Sequence, residues 1–92
     1  MGEVTDFKGR VQDTAPTGPE AEAEALIRRV GDRVRKAREL RGIPRRVLSE
    51  RSGVSPRYLA QLEAGEGNIS IGLLSRVAEA LDHRIEWFIT ED

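Results

Sequence analysis

Residue types that carry out chemistry are scarce in this chain of 92 residues. It has no cysteine and one histidine, His83, and aromatic residues make up 4% of it. Without cysteine there are no disulfides and no thiolate ligands, and the sequence has neither a GxxxxGK nor a GxGxxG phosphate loop. The sequence therefore lacks the residues that metal-dependent, thiol and nucleotide chemistry require. We expect no enzyme, no metal and no cofactor, and we interpret His83 as an ordinary loop residue.

Long hydrophobic runs are also missing. Apolar residues make up 38% of the sequence, and none of their runs is long enough to span a bilayer or to form a secretory signal. We therefore expect a cytoplasmic protein with no membrane partner. The length suits one small domain, whose core must be built from Leu, Val, Ile and Ala.

Charge is distributed unevenly, although the formal net charge is only -1. Residues 1–25 contain six acidic and two basic residues, whereas residues 28–63 contain eleven basic and four acidic ones. A local excess of positive charge attracts polyanions whatever their sequence. The basic segment therefore indicates a nucleic-acid partner, and a merely solvated helix surface is the alternative.

The chain divides into a tail and a helical domain. Residues 1–19 are rich in glycine and proline and show no apolar periodicity, so we expect a flexible acidic tail. The predicted domain covers residues 20–92. Its first helix starts after Pro19, which suits a first helical position, and ends at Gly42. Because glycine costs about 1 kcal/mol relative to alanine inside a helix, the residues before Gly31 are candidates for a separate or frayed turn.

The run RRVLSERSGVSPRYLAQLEAG, from Arg45 to Gly65, predicts two short helices joined by a tight turn. They are expected over residues 44–51 and 56–64. Gly53 gives the backbone the freedom that a sharp reversal needs, and Gly65 closes the second helix. This pattern predicts a helix-turn-helix.

The second of these helices has a clear start and two different faces. Ser55 followed by Pro56 is typical of a helix start, because the serine hydroxyl caps the helix and proline lacks only an N–H that the first turn does not use. Its inward residues are predicted to be Leu59 and Leu62, and its outward residues Arg57 and Gln61. Such a helix has the side chains needed to read base edges in a DNA major groove.

Two further helices complete the predicted all-α domain of five helices. Ser70 caps a fourth helix with an apolar stripe over residues 73–81. A short last helix over residues 84–89 brings Trp87 and Phe88 against that stripe. The predicted compact core covers residues 28–89.

The order of these helices resembles the phage lambda repressor/Cro-like, or XRE-type, family of helix-turn-helix transcriptional regulators. The residues that carry the resemblance are GIPRRVLSERSGVSPRYLAQLEAG in the middle and LLSRVAEALD followed by IEWFI at the end. It implies a compact domain that binds double-stranded DNA with helix 56–64 in the major groove. A weaker similarity, in GNISIGLLSRVAEALD, is to the N-terminal part of regulators of aromatic-acid catabolism that continue into a shikimate-kinase-like domain.

The resemblance also implies roles for individual residues. It pairs Arg38 with Glu63 in a structural salt bridge between the first and third helices. The alternative is that the two residues are surface charges that contribute little to stability. The resemblance makes Arg45 a phosphate-contacting residue. The positions that it assigns to the outward, DNA-binding side of the recognition helix are Ser55, Pro56, Arg57 and Gln61.

Side-chain chemistry refines these roles. Arg57 suits guanine, to which it can donate two hydrogen bonds, and Gln61 suits adenine, whose edge offers one donor and one acceptor. Arg46, Tyr58 and Asn68 are additional candidates for contacts to the DNA backbone. For Tyr58 the alternative is a half-buried ring that seals the third helix against the fourth.

The sequence departs from the family pattern at three positions. Pro44 stands where many relatives have a Thr or Ser cap, so the second helix starts without that hydrogen bond. Pro56 replaces a side chain that often reads bases, so specificity could depend more on DNA shape. Glu66 places an acid near the expected path of the phosphates.

The assembly expected from the resemblance is a homodimer on an inverted repeat, with half-site centres about 34 Å apart. Trp87 and Ile89 are candidates for its interface, and the alternative is that Trp87 closes the core of the monomer. Because the sequence ends directly after the last helix, we expect either a minimal repressor or part of a longer regulator with an effector-binding domain. Two other functions remain open: an antitoxin-like autoregulator whose N-terminal arm binds a protein partner, or a protein-interaction module that does not bind DNA.

Overall fold

The computed structural model describes residues 18–68 and 70–91. Within these ranges the chain forms five α-helices and no strand, which confirms the predicted all-α fold. The helices are α1 (Gly18–Leu40), α2 (Arg45–Ser52), α3 (Pro56–Glu63), α4 (Ile71–Ala80) and α5 (Ile85–Ile89). The predicted tail lies outside the described residues, except that α1 already includes Gly18 and Pro19. No described helix combines the length and the apolar character that crossing a membrane requires.

Helix α1 is a single helix of 23 residues, so the suggested separate turn before Gly31 is wrong. Gly31 is buried where α1 crosses α3, and close packing there outweighs its low helix propensity. The helix ends at Leu40, two residues before Gly42. An acid, Glu20, lies in its first turn and a base, Arg38, in its last, which complements the helix dipole.

The helix-turn-helix consists of α2 and α3. Pro44 precedes α2 without a side-chain capping bond, and Gly53 ends it with a left-handed φ of 76° and donates its N–H to the carbonyl of Ser49. The Ser55 hydroxyl caps α3 by accepting a hydrogen bond of 3.0 Å from the main-chain nitrogen of Tyr58. Gly53 and Ser55 therefore fix the turn of this motif as the sequence predicted, whereas Pro44 contributes no capping bond and α3 ends at Glu63, one residue earlier than expected.

One hydrophobic core joins the five helices. Helix α1 packs on α3 and α5, and α4 packs on α2 and α5. All five helices and the turn before α3 contribute to the core, which consists of Val30, Val34, Ala37, Leu48, Val54, Leu59, Leu62, Leu74, Val77, Ala78, Leu81 and Phe88. Because Leu59 and Leu62 are fully covered here, the opposite side of α3 must face outward.

Helix α5 is held on α1 by main-chain contacts. Arg29 donates to the carbonyl of Ile89 at 2.9 Å, and Arg33 donates to the carbonyls of Trp87 and Thr90 at 2.9 and 2.5 Å. These guanidinium groups satisfy carbonyls at the end of α5 that have no partner within a short helix.

The aromatic residues at this end of the domain have different environments. Phe88 is completely buried, whereas Trp87 is 45% exposed. Phe88 therefore closes the core, and Trp87 does not. His83 lies between α4 and α5 as expected, but it also stacks on Trp87 with ring centroids 4.6 Å apart.

Candidate nucleic-acid interface

The outward side of α3 carries four of the predicted DNA-binding residues. Ser55, Pro56, Arg57 and Gln61 are all exposed. Arg57 and Gln61 are four residues apart and therefore lie on the same face of the helix. Within the described part of the chain, the Arg57 guanidinium forms no ion pair, so its donors are available to a ligand. The arrangement places an exposed arginine and an exposed glutamine on a helix whose other side is fixed in the core.

Arg38 and Glu63 are brought together between α1 and α3. Two donors of Arg38, Nε and Nη2, lie 2.6 and 2.9 Å from the two Glu63 oxygens. The Glu63 side chain is only 1% exposed and that of Arg38 11%. Arg38 also donates to the carbonyl of Ile43 at 2.9 Å, which ties the loop before α2 to the same group. The hydrogen bonds to Glu63 raise the pKa of Arg38 against the opposing effect of burial, so Arg38 remains a cation.

Arg45, the predicted phosphate contact, also binds Glu63. Its Nε donates to Glu63 Oε1 at 3.0 Å, although 46% of its side chain is exposed. Glu63 thus accepts from two arginines on two different helices. This contact has no signal in the sequence, because the family resemblance assigns Glu63 to Arg38 alone and residues 45 and 63 are not close in any helical pattern.

Arg46 follows Arg45 in α2 but has a different environment. It pairs with Glu50, one helical turn later, at 3.2 Å, and both side chains are more than 60% exposed. An exposed pair of this kind contributes little and leaves both side chains free to move. Arg45 is therefore held by a buried partner and Arg46 by an exposed one, although the two residues are adjacent in the sequence.

Tyr58 is half-buried between α3 and α4. Its hydroxyl accepts a hydrogen bond of 3.0 Å from the main-chain nitrogen of Ser70, the residue that caps α4, and its ring packs against the core. This geometry is the sealing role considered as the alternative for Tyr58. The hydroxyl hydrogen is still available to a phosphate oxygen.

Asn68 lies in the loop between α3 and α4, beside the N-terminal half of α1. It is exposed and lines two surface depressions, one with Arg28 and Gly65 and a more apolar one with Leu26 and Ile71. No hydrogen bond within the described residues fixes its side chain. The structure thus gives Asn68 neighbours on α1, which the sequence did not indicate.

Most of the basic run predicted from the sequence is paired inside the protein. Arg29 and Arg33 bind carbonyls of the chain end, and Arg35 and Lys36 share Asp32. Arg41 lies 3.8 Å from Asp82 and Arg28 lies 4.0 Å from Glu24. In residues 18–68 and 70–91, Arg51 and Arg57 have no such partner. Within this run the guanidinium groups without a partner therefore lie on the helix-turn-helix, whereas Arg29 and Arg33 of α1 keep their charge because their carbonyl partners are neutral.

Acidic and histidine side chains show no metal-binding arrangement in the described ranges. No group of three or more His, Cys, Asp or Glu residues there is placed to hold an ion.

These features define a helix-turn-helix DNA-binding protein. Residues 34–88 match the family described as Helix-turn-helix, HTH_3, which is more than half of the chain. The chain belongs to this family of XRE, or Cro/C1-type, transcriptional regulators, as the resemblance in its sequence indicated.

Known proteins similar to this chain are transcriptional regulators. Over 51 residues it is 45% identical to uncharacterized HTH-type transcriptional regulators from two strains of Mycobacterium tuberculosis. The match covers 55% of this chain and 36% of those proteins, so the chain spans about a third of the length of these relatives.

Two solved structures share the fold. The restriction-modification controller protein C.AhdI from Aeromonas hydrophila is 28% identical with a TM-score of 0.67, and the match covers 71% of this chain and 98% of that one. The clp gene regulator ClgR from Corynebacterium glutamicum is 36% identical with a TM-score of 0.65, over 68% of this chain and 81% of that one. Both confirm the five-helix lambda-repressor-like architecture.

Proposed function

We propose that this transcriptional regulator binds double-stranded DNA in a sequence-specific manner by inserting α3 into the major groove. The observation that carries the proposal is the exposed pair Arg57 and Gln61 on a helix whose Leu59 and Leu62 are fixed in the core. A helix held in this way can present side chains to base edges in a defined register. The protein would act in the cytoplasm without enzymatic activity of its own.

Each proposed contact has a defined chemical role. Arg57 donates two hydrogen bonds to guanine, and Gln61 exchanges a donor and an acceptor with adenine. Ser55 and Pro56 lie at the end of α3 that enters the groove, and Tyr58 and Asn68 contribute backbone contacts. Each good base contact contributes about 1–3 kcal/mol of discrimination.

Selection of bound duplexes from a random DNA library tests this function. Wild type should enrich one motif, and Arg57→Ala and Gln61→Ala should each relax the preference at one position of it. Arg51→Ala is the matched control, because Arg51 is an exposed arginine on α2 without a described partner. It should weaken binding slightly and leave the motif unchanged. A motif that is identical in all four proteins would contradict readout by α3, and no enrichment would contradict the function itself.

A homodimer on an inverted repeat is the proposed assembly. Its support is Trp87, a large apolar side chain that remains 45% exposed, with the half-buried Ile89 at the same end of the domain. Two copies joined there would present two recognition helices, with half-site centres about 34 Å apart.

Equilibrium sedimentation at micromolar concentration tests the dimer. Trp87→Ala should shift the protein toward monomer, whereas Ile71→Ala, which removes another exposed apolar side chain on α4, should not. Monomer alone, with and without the selected duplex, would refute the assembly. The antitoxin-like alternative predicts a protein partner for the N-terminal arm, which lies outside the described ranges, and the protein-interaction module predicts no enriched duplex.

A further inference from the structure

The Glu63 carboxylate is the acceptor for two arginines of unequal exposure. It receives three hydrogen bonds, two from Arg38 and one from Arg45. Its side chain is 1% exposed, so it cannot rotate into solvent, and α3 fixes its main chain. A buried carboxylate with this set of donors defines the positions of both guanidinium groups.

The two arginines differ in how many of their N–H groups remain without an acceptor. Arg38 uses Nε, Nη1 and Nη2 on Glu63 and on the carbonyl of Ile43, and it is almost completely buried. Arg45 uses only Nε on Glu63. Within the described residues its two terminal amino groups have no acceptor, and about half of the side chain faces solvent.

The cluster also differs from an ordinary ion pair in its net charge. Arg38 and Glu63 neutralise one another, so the contact with Arg45 leaves the group with one net positive charge on its outer side. Arg45 is the first residue of α2, adjacent to the helix that we propose reads bases. An ordered cation with free donors in this place is suited to a phosphate oxygen.

We propose that Glu63 is a positioning residue for DNA binding: through Arg45 Nε it holds the terminal amino groups of Arg45 toward one phosphate of the duplex backbone. This inference rests on the proposed function. It assigns Glu63 a second role beside the bridge to Arg38, and it separates Arg45, whose direction is fixed, from Arg46, which contributes only its charge.

The first measurement is DNA affinity for two conservative variants. Lysine keeps the charge but has no Nε–H edge through which Glu63 could orient the free donors. Arg45→Lys should therefore bind the selected duplex about tenfold more weakly, the loss of one charge-assisted hydrogen bond, whereas Arg51→Lys, at an exposed α2 arginine without a described partner, should remain within about twofold of wild type. Equal affinity of the two variants and wild type, in a protein that does select a duplex, would overturn the positioning role and leave the proposed function intact.

Duplexes with one neutral methylphosphonate at a time locate the phosphate. At one position the neutral group should weaken wild type about as much as Arg45→Lys does, and it should have no further effect on that variant. If no position shows this behaviour, Arg45 has no defined phosphate partner and the proposal fails. If wild type selects no duplex, the proposed function fails together with it.

An NMR measurement on the free protein tests the role of Glu63 without a variant that could unfold. The Nε–H proton of Arg45 should exchange with solvent several times more slowly than that of Arg57, which has no described acceptor. Equal exchange rates would overturn the proposal. Where Glu63→Gln remains folded, the penalty of Arg45→Lys on DNA affinity should shrink in that background, and an unchanged penalty would also contradict it.

Discussion

Gly31 of α1 lies so close to Leu62 of α3 that a Cβ atom at position 31 would be 2.1 Å from the main-chain oxygen of Leu62. The same Cβ atom would be 3.2 Å from the main-chain nitrogen of Gly65. Both neighbours are backbone atoms, so they cannot rotate away as a side chain could. The residue with the poorest helix propensity in the middle of α1 therefore sets the distance between α1 and the proposed recognition helix.

Gly31→Ala should destabilise the protein although alanine favours helix. Because both close neighbours are backbone atoms, we expect a loss from overpacking of about 3 kcal/mol, which exceeds the gain of about 1 kcal/mol in propensity. Urea unfolding followed by circular dichroism measures the difference. Gly72→Ala in α4 is the matched control, because its Cβ would meet only Ser70 Oγ at 3.8 Å. That variant should gain about 0.4–1 kcal/mol. Stabilisation by both substitutions would show that the close approach can be relieved.

Removal of the Glu63 carboxylate should be among the more costly single changes. Glu63→Ala leaves Arg38, whose side chain is 11% exposed, without its acceptor, and breaking a buried pair costs about 3–5 kcal/mol. Thermal unfolding by circular dichroism gives the comparison. Glu50→Ala, which breaks the exposed pair with Arg46, should cost less than about 1 kcal/mol. A thermal unfolding curve of Glu63→Ala that coincides with that of wild type would show that the bridge does not contribute to stability.

Two adjacent aromatic residues should differ in their effect on stability. Phe88→Ala removes a fully buried side chain and should cost about 3–5 kcal/mol. Trp87→Ala removes a half-exposed ring stacked on His83, and the lost aromatic contact should cost about 1 kcal/mol. Both values come from urea unfolding monitored by circular dichroism rather than fluorescence, because Trp87 is the only tryptophan. Equal losses would contradict the assignment of Phe88 as the residue that closes the core.

Asp32 should titrate at unusually low pH. Hydrogen bonds from Lys36 first and Arg35 second lower the pKa of its carboxyl below the usual value of 3.8. Because the folded pKa is depressed, the stability that Asp32 contributes is present above the unfolded pKa and is lost as the pH falls through the folded value. Carbon-detected NMR titration should show the low pKa, and Lys36→Gln should raise it toward 3.8. An unchanged Asp32 pKa in that variant would exclude Lys36 as the main cause.

Local signals in the sequence predicted the helices well, because helix ends are fixed by nearby residues. Ser55 and Ser70 were identified as caps from the sequence, and each hydroxyl accepts a hydrogen bond from the main-chain nitrogen three residues later. The alternation of apolar and polar residues likewise gave the buried side of α3. The exposure of Arg57 and Gln61 follows from the same periodicity.

Contacts between distant segments could not be predicted in this way. The partner of Gly31 is a main-chain oxygen 31 residues later, and an oxygen of that kind has no sequence signature. The same holds for Arg29 and Arg33, whose acceptors are carbonyls of residues 87–90. The basic run consequently suggested a broad positive surface, although these arginines are used to fasten α5.

The attachment of α5 to α1 has a consequence for the order in which the domain can be completed. Arg29 and Arg33 bind carbonyls that lie 54 to 60 residues further along the chain, and Phe88 fills the core from the same segment. During synthesis α1 leaves the ribosome long before any of these groups exist. Until residue 90 emerges, one side of α1 stays uncovered and its two guanidinium groups stay hydrated. The nascent domain therefore cannot reach its final packing until residue 90 has left the ribosome.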